Sequence, residues 1–419
     1  MTFRDLFVDT IHTLWANKLR TTLTMFGIAW GIVSITLMVA AGEGLRVGQQ
    51  KVSANFGKDL MIIFAGTTSM QAGGTRAGRR IRWQDTDHIA VAQQSPDCDC
   101  VLPEFGRGGS SVRSSYNSGT FLVTGSLPKF AEIRSIKVAE GRYCNEEDER
   151  MNRRVAVIGS EVKKQLFGAH QAMDQDIVIR GVTYRVIGIT AHKEQDSSYD
   201  GQDVSKVFVP FSTIMRDFPE SPPSTPHDID RLLAVPKSMA SHEPCKAQVR
   251  RALGRIHNFD PRDEEAAGIW DTIEEAKAFR KLSDGMKYFL GAVGITTLFL
   301  GGIGVMNVML VAVRERTREI GVRKAVGATA RSILWQFFVE AVIVVFLSGG
   351  IGLSIAYGIC ALFNMLPMPM FFAGLIPTID TGLIAFGLLG TVAILSAIYP
   401  ASQAASIDPI EALRYEPGS

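Results

Sequence analysis

The histidines and cysteines, whose side chains are best suited to chemistry, form no catalytic pattern in this sequence. The seven histidines lie singly, at positions 12, 88, 170, 192, 227, 242 and 257. HExxH and GxSxG motifs are absent, and no serine or cysteine has the sequence neighbours typical of an activated nucleophile. We therefore expect a chain that is not an enzyme, with no catalytic residues.

Phosphate binding is also not expected of this chain. A GxxxxGK[ST] loop, which wraps the phosphates of ATP with backbone amides, does not occur in the 419 residues. The sequence LSGG at 347–350 imitates an ATPase signature, but it lies in an uncharged apolar stretch and is interpreted as coincidence. We expect the chain to bind no cofactor.

Four of the five cysteines, Cys98, Cys100, Cys144 and Cys245, lie in one long polar stretch. An even set in an oxidising compartment suggests disulfides, and four cysteines allow three sets of pairs, among which the sequence does not choose. A bridge between Cys98 and Cys100 would be the most strained. The alternative is a metal site formed by Cys98, Cys100, His242 and Cys245, but no second histidine or carboxylate is spaced to complete it. We expect no metal.

Four apolar segments indicate where the chain meets a membrane. They cover residues 21–43, 286–313, 332–363 and 381–400, and about 20 apolar residues suffice to cross a hydrocarbon core. The first is too long for the apolar core of a cleaved signal peptide, so it is interpreted as an anchor. The hydrophobic share of 46% agrees, and a net charge of +2 gives no reason to expect a nucleic-acid partner.

The basic residues predict the orientation of these segments. Arg4, Lys18 and Arg20 precede the first, and six Lys or Arg lie between the second and third at 314–331, but none lies between the third and fourth at 364–380. Because positive loops stay in the cytoplasm, residues 1–20, the 314–331 loop and the 401–419 tail are predicted to be cytoplasmic. Residues 44–285 and the 364–380 loop would then face the periplasm across an inner membrane.

Strand patterns indicate that residues 44–285 form an α+β domain, with one body or two subdomains as the alternatives. Alternating apolar residues predict strands at 154–159, 176–180, 183–189 and 206–210, and a helix is predicted at 83–94 before Pro96. Apolar residues at three- and four-residue steps from Ile269 to Met286 predict a stalk helix that continues into the second apolar segment. The expected fold is four transmembrane helices with an α+β domain between the first two.

The basic loop predicts a short helix at the membrane surface. Glu315, Glu319 and Arg323 lie at four-residue steps, as do Arg316 and Lys324 on either side of Ile320. From the residues alone such a helix either serves only to set the topology or contacts a partner.

Glu340 lies in the third apolar segment, where a charged side chain is costly unless it is paired. We expect a basic partner for it in the 314–331 loop; a role in proton movement is the alternative.

The chain resembles the MacB-type, or FtsX-like, permeases of the ABC transporter superfamily. The most specific match is GGIGVMNVMLVAVRERTREIGVRKAVGATARSILWQFFVEA at 301–341. Further matches lie at 17–32, 141–168, 184–189 and 399–416, in family order over nearly the whole chain. The chain departs from the family at 172–175, where it reads AMDQ and relatives often have a glycine before the strand, and in its external cysteines.

The resemblance implies a homodimer, or a heterodimer with a paralogous permease, on two ATPase subunits that bind ATP and Mg. Many relatives carry a fused ATPase, and here we expect a separate one. Coupling to it is implied for Arg314, Glu315, Arg316, Glu319, Arg323, Lys324 and Gly327, and an amphipathic interfacial helix for Phe3, Leu6, Phe7, Ile11 and Leu14. ATP hydrolysis would move the periplasmic domain by mechanotransmission.

The leading expectation for function is efflux of a hydrophobic compound, peptide or lipid-linked cargo, with a periplasmic adaptor and an outer-membrane channel. The alternative is an ATP-driven regulator that activates an external partner, such as a cell-wall hydrolase or a sensor kinase, without moving cargo. The large external domain favours export.

Overall fold

The computed structural model describes residues 18–57, 59–193, 195, 199–220 and 224–414. The chain divides into a membrane unit, residues 1–49 and 280–419, and a domain unit, residues 50–279. The predicted amphipathic helix of Phe3, Leu6, Phe7, Ile11 and Leu14 lies outside the described residues.

Four long helices belong wholly or in part to the membrane unit: α1 (Lys18–Phe56), α8 (Thr272–Glu315), α10 (Ala330–Phe363) and α11 (Ile379–Ser406). Within the described residues these four are long and apolar enough to span a membrane. Two short helices follow α8 and α11: α9 (Thr317–Ala325) and α12 (Pro409–Arg414). The predicted fold class is thereby confirmed, while the exact limits of the spans stay predictions.

Small residues bring the helices of the membrane unit close together. A Cβ on Gly31 would lie 3.2 Å from Leu298 Cα, and one on Gly301 would lie 3.2 Å from Ile28 N. These glycines therefore let α1 and α8 approach backbone to backbone.

A second close contact in the membrane unit involves the loop between α10 and α11. A Cβ on Gly44 or Gly48 would clash with the carbonyls of Gly374 and Phe371, and the amides of Ala373 and Ile376 donate to Gly44 O and Ala40 O at 3.0 and 3.1 Å. The loop is thus fastened to the outer part of α1 through main-chain contacts.

The domain unit contains twelve described strands: β1 (Met61–Ala65), β2 (Trp83–Gln84), β3 (Cys98–Arg113), β4 (Ser118–Ser126), β5 (Val138–Gly141), β6 (Val155–Ile158), β7 (Asp176–Ile179), β8 (Val182–Thr190), β9 (Lys206–Pro210), β10 (Asp228–Ile229), β11 (Arg231–Pro236) and β12 (Ala267–Asp271). Ten of them form one sheet, in the order β12-β1-β11-β3-β4-β9-β6-β8-β5, with β7 paired to β3 and β8.

Six α-helices accompany the strands: α2 (Asp87–Gln94), α3 (Phe130–Ile133), α4 (Glu146–Arg150), α5 (Ser160–Phe167), α6 (Phe211–Asp217) and α7 (His242–His257). A short 3-10 helix spans Asp203–Ser205. Buried apolar clusters lie on the two faces of the sheet, one including Val249 and Leu253 of α7 and the other including Phe130 and Ile133 of α3.

The four strands predicted from alternating residues are present as β6, β7, β8 and β9. Arg180 and Gly181, with φ of 48° and 92°, form the two-residue turn between β7 and β8. Asp174 adopts the left-handed conformation at φ 58° in the AMDQ segment, where a glycine would be more usual.

Two sequence expectations need correction. Ile269, expected at the start of the stalk helix, lies in β12 opposite Ile63, because the helix begins only at Thr272, where Asp271 Oδ1 accepts the amides of Ile273 and Glu274. The helix expected at 83–94 begins at Asp87, since Trp83 and Gln84 pair with β10.

Among the cysteines, Cys98 and Cys245 form a disulfide that joins β3 to α7, with their Cα atoms 5.1 Å apart. Cys100 and Cys144 remain thiols, contrary to the expectation that the set of four pairs. Cys98 packs in the cluster on the α7 face of the sheet, whereas Cys100 packs against the cluster that contains Cys144, so the bonded pair and the thiols are separated by the sheet. Burial raises the pKa of the Cys100 thiol to about 11.

Candidate coupling surface

The helix α9 is built as a short, anchored segment between two membrane helices. It begins after Arg316, where the backbone leaves the α8 helix, and it is followed by Gly327, whose φ of 104° suits glycine. Ile320 is buried in the core of the membrane unit. Gly321 faces Ala412 so closely that an added Cβ would lie 2.5 Å from the Ala412 Cβ. The inner face of α9 is therefore fixed against α12.

Three of the basic residues expected to couple to an ATPase point into the protein. Arg316 pairs with the buried Glu340 of α10 at 3.5 Å, the basic partner that the sequence led us to expect. Arg323 donates to Gln336 Oε1 of α10 at 2.8 Å and to Glu319 at 2.5 Å. These contacts tie α9 to the first turns of α10.

Lys324 is the third inward-facing basic residue. Its ammonium group donates to the carbonyls of Ala405 and Ile407, at 2.6 and 2.7 Å. These carbonyls lie at the C-terminal end of α11, where the helix dipole favours a positive charge. Lys324 therefore joins α9 to the corner between α11 and α12.

The outward face of α9 carries residues that the sequence analysis did not select. Arg314, Glu315, Glu319 and Gly327 are exposed, and their coupling role stays a prediction. Arg318, Val322 and Val326 are exposed too, and Val326 reaches 85% exposure. These three, which we call the α9 stripe, follow one another at four-residue steps, and that spacing was the signal that could have revealed them.

Across the described part of the chain, no three His, Cys, Asp or Glu side chains gather where they could hold a metal ion. The His242 of the metal alternative has its Nε2 at 2.7 Å from Asp271 Oδ2, and Cys98 and Cys245 are bonded to each other.

Two protein-family models match this chain, one after the other in sequence. The family model of the MacB-like periplasmic core domain matches residues 21–252, and that of the FtsX-like permease C-terminal region matches residues 291–409.

Similar proteins include a macrolide export ATP-binding/permease protein MacB of Bdellovibrio bacteriovorus, 30% identical over 97% of this chain and 61% of that protein. A pyoverdine export ATP-binding/permease protein PvdT of Pseudomonas syringae is 31% identical over 97% of this chain and 58% of that protein. The chain thus spans about 60% of the length of these relatives.

Among solved structures, the periplasmic region of MacB from Actinobacillus actinomycetemcomitans aligns with a TM-score of 0.43 and 17% identity, over 54% of this chain and 95% of that one. The two family models together cover both the domain and the membrane helices. The chain belongs to the MacB-type, FtsX-like family of ABC transporter permeases.

Proposed function

We propose that this chain forms the membrane part of an ABC exporter and couples ATP hydrolysis by an ABC ATPase to movement of its periplasmic domain. The cargo would be a hydrophobic compound, a peptide or a lipid-linked molecule. The observation that carries the proposal is the α9 stripe, an exposed set of residues on a helix whose inner face is held by Arg316, Arg323 and Lys324.

Because its inner face is held in this way, α9 would move as one body with its neighbours when a partner pushes on it. A partner that pushes on the stripe would displace α9 together with α10 and α12, because ion pairs and close packing join them. The helix α8 begins next to β12 in the domain unit and ends immediately before α9. Its first turns belong to the domain unit and the rest of the helix to the membrane unit.

The proposed orientation has both termini and α9 in the cytoplasm, and the domain on the periplasmic side of an inner membrane. The basic residues around α9 support it by the positive-inside rule. The Cys98–Cys245 disulfide supports it as well, since such bonds persist in oxidising compartments. Two copies of the chain, a periplasmic adaptor and an outer-membrane channel would complete the assembly.

The test is a change in the α9 stripe that leaves its anchors intact. Purified chain and candidate ABC ATPase subunits would be mixed in nanodiscs, and complex formation and ATPase rate would be measured. Arg318→Glu with Val326→Asp should abolish both the complex and the stimulation of ATP hydrolysis. Arg316 and Arg323 are poor choices for this purpose, because reversing them breaks contacts with Glu340 and Gln336 inside the protein.

The matched control is Lys237→Glu with Met239→Asp, which changes one exposed cation and one exposed apolar residue in the domain unit. It should bind the ATPase like wild type. A stripe variant that still binds and stimulates the ATPase normally, or a wild-type chain that binds no ABC ATPase, would overturn the proposal.

A further inference from the structure

A buried aromatic and cationic site in the domain unit is filled by the chain itself. Tyr199 donates its hydroxyl hydrogen to Glu104 Oε2 at 2.6 Å. The guanidinium groups of Arg134 and Arg231 lie over the aromatic ring of Tyr199, 4.9 and 4.7 Å from its centroid. Trp270 meets the ring edge-on, with centroids 6.3 Å apart. Glu104, Arg134, Arg231 and Trp270, together with Phe64, are called the socket below.

The neighbouring residue, Asp200, supplies a negative charge to the same site. Its carboxylate lies 2.5 Å from Lys206 Nζ and 3.4 Å from Arg231 Nη1. Lys206 is 1% exposed, so its charge needs a close anion to offset the loss of hydration.

The charges around the socket balance only while Asp200 is present. The cations are Arg134, Lys193, Lys206 and Arg231, and the carboxylates are Glu104, Asp200, Asp203 and Asp230. With all of these groups ionised the cluster is neutral, and without Asp200 it has one positive charge in excess. Burial raises the pKa of Glu104 to about 7, which adds to the positive excess near neutral pH. A vacated socket would therefore attract an anion.

Most socket residues lie on strands of the sheet, whereas Tyr199 and Asp200, which fill the socket, lie in an irregular segment. Phe64 of β1 pairs with Arg231 of β11, which pairs with Glu104 of β3, so three socket residues form one row across the sheet. Trp270 lies in β12, at the edge of the same sheet. Tyr199 and Asp200 belong to no strand or helix and are followed by Gly201, at φ 104°. Such a segment is able to leave while the sheet stays intact.

We propose that Tyr199 and Asp200 are a displaceable internal plug, and that the socket binds a ligand presenting an aromatic ring beside a carboxylate, such as an aromatic-acidic peptide segment. The ring would take the place of Tyr199 against Arg134 and Arg231, with the aromatic contacts of Phe64 and Trp270. The carboxylate would take the place of Asp200 against Lys206 and Arg231. This site lies within the domain unit and does not depend on the proposed coupling to an ATPase.

Both parts of the ligand are needed for recognition. A ring without a carboxylate would leave Lys206 and Arg231 without the anion that Asp200 now provides, which is costly for buried charges. A carboxylate without a ring would forfeit the two cation-π contacts. The tripeptide acetyl-Tyr-Asp-Gly-amide reproduces the plug and is therefore the probe of choice.

The experiment measures binding of this tripeptide to the full chain in nanodiscs by titration calorimetry. The variant Tyr199→Gly with Asp200→Gly empties the socket and should bind the tripeptide at least roughly tenfold more tightly than wild type does. Acetyl-Ala-Asp-Gly-amide and acetyl-Tyr-Asn-Gly-amide should each bind the emptied variant much more weakly. Adding Arg231→Gln to the emptied variant should also abolish binding.

A milder variant keeps the test decisive if the emptied one does not fold. Tyr199→Phe with Asp200→Asn retains the ring in the socket but removes its hydrogen bond and its charge, so the tripeptide should displace it more easily than the wild-type plug. Folding of each variant is checked by circular dichroism and by retention of the Cys98–Cys245 bond. Folded variants that show no tripeptide binding at millimolar concentration, or that bind all three peptides equally, would overturn the proposal.

Discussion

Replacing Lys324 with methionine should loosen the corner between α11 and α12 without removing a contact to the ATPase. Methionine keeps an unbranched side chain of similar length but lacks the ammonium group that donates to the carbonyls of Ala405 and Ile407. These carbonyls would then depend on water. Since Gly321 packs against Ala412 of α12, loss of the Lys324 contacts weakens one of two attachments between α9 and this corner.

The size of the effect follows from the contacts that are lost. A hydrogen bond from a charged donor contributes roughly 1.5 to 3 kcal/mol, and the half-buried position of Lys324 allows water to replace part of it. We therefore discount each bond below this range, to about 1 kcal/mol, which gives about 2 kcal/mol for the two bonds together. That free energy corresponds to a roughly 30-fold increase in the population of the open corner.

Hydrogen exchange followed by mass spectrometry measures this opening directly. The amide of Ala412, which donates to Asp408 O, should exchange about 30-fold faster in the Lys324→Met variant. The control is Lys281→Met, at an exposed position of α8, which should leave this exchange unchanged. ATPase binding should persist while stimulation of ATP hydrolysis falls. Unchanged exchange together with lost ATPase binding would refute this reasoning and identify Lys324 as a docking residue.

Three further predictions concern the other described contacts. Replacing Cys98 and Cys245 by alanine should lower the free energy of unfolding of the domain by up to about 5 kcal/mol, because the bond closes a loop with a sequence separation of 147; pulse proteolysis measures the loss. Glu104→Gln should remove a pH dependence of stability. The pKa of Glu104 in the folded chain, about 7, exceeds its value in the unfolded chain, so the folded chain binds more protons between about pH 4.5 and 7. The free energy of unfolding of the wild type should therefore fall by up to about 3 kcal/mol as the pH rises through this window. Gly48→Ala should detach the α10–α11 loop from α1 through a clash with the Phe371 carbonyl, detected as faster proteolysis of this loop.

Each of these predictions has a matched control or a contrary result. For the disulfide, Cys144→Ala removes a buried thiol without opening a loop and should cost less than the double change. For Glu104, equal pH profiles of thermal unfolding in wild type and variant between pH 5 and 8 would contradict the pKa argument. The control for Gly48→Ala is Gly285→Ala, which adds a methyl group with no neighbour within 4 Å. It should leave proteolysis of the α10–α11 loop unchanged.

Local sequence patterns predicted those elements whose structure depends on nearby residues. The alternation in KVFVP at 206–210 predicted β9, and the break between the strands predicted at 176–180 and 183–189 lies at the observed turn of Arg180 and Gly181. The start of α8 was misjudged, because Ile269 fits both a helical stripe and a strand, and only its pairing with Ile63, more than 200 residues earlier, decides between them.

Contacts with residues distant in sequence also decide which side chains of α9 are exposed. The spacing of charges at 315–324 correctly indicated a short charged helix. Which of its charges face inward depends on Glu340, Gln336 and the carbonyls of Ala405 and Ile407, which come from two other helices. Apolar Val322 and Val326 were not selected because an apolar side chain on an amphipathic helix is ordinarily expected to be buried.

The position of β1 in the sheet has a consequence for how the protein is made. β1 lies between β11 and β12, whose residues are synthesised 160 or more positions later, and Cys98 must wait for Cys245. At a synthesis rate of roughly 5 to 20 residues per second, Cys98 stays an unpaired thiol for about 7 to 30 s. During that interval the N-terminal strand has no native neighbours. The sheet is therefore completed only after β12 has been synthesised, just before the second membrane helix follows.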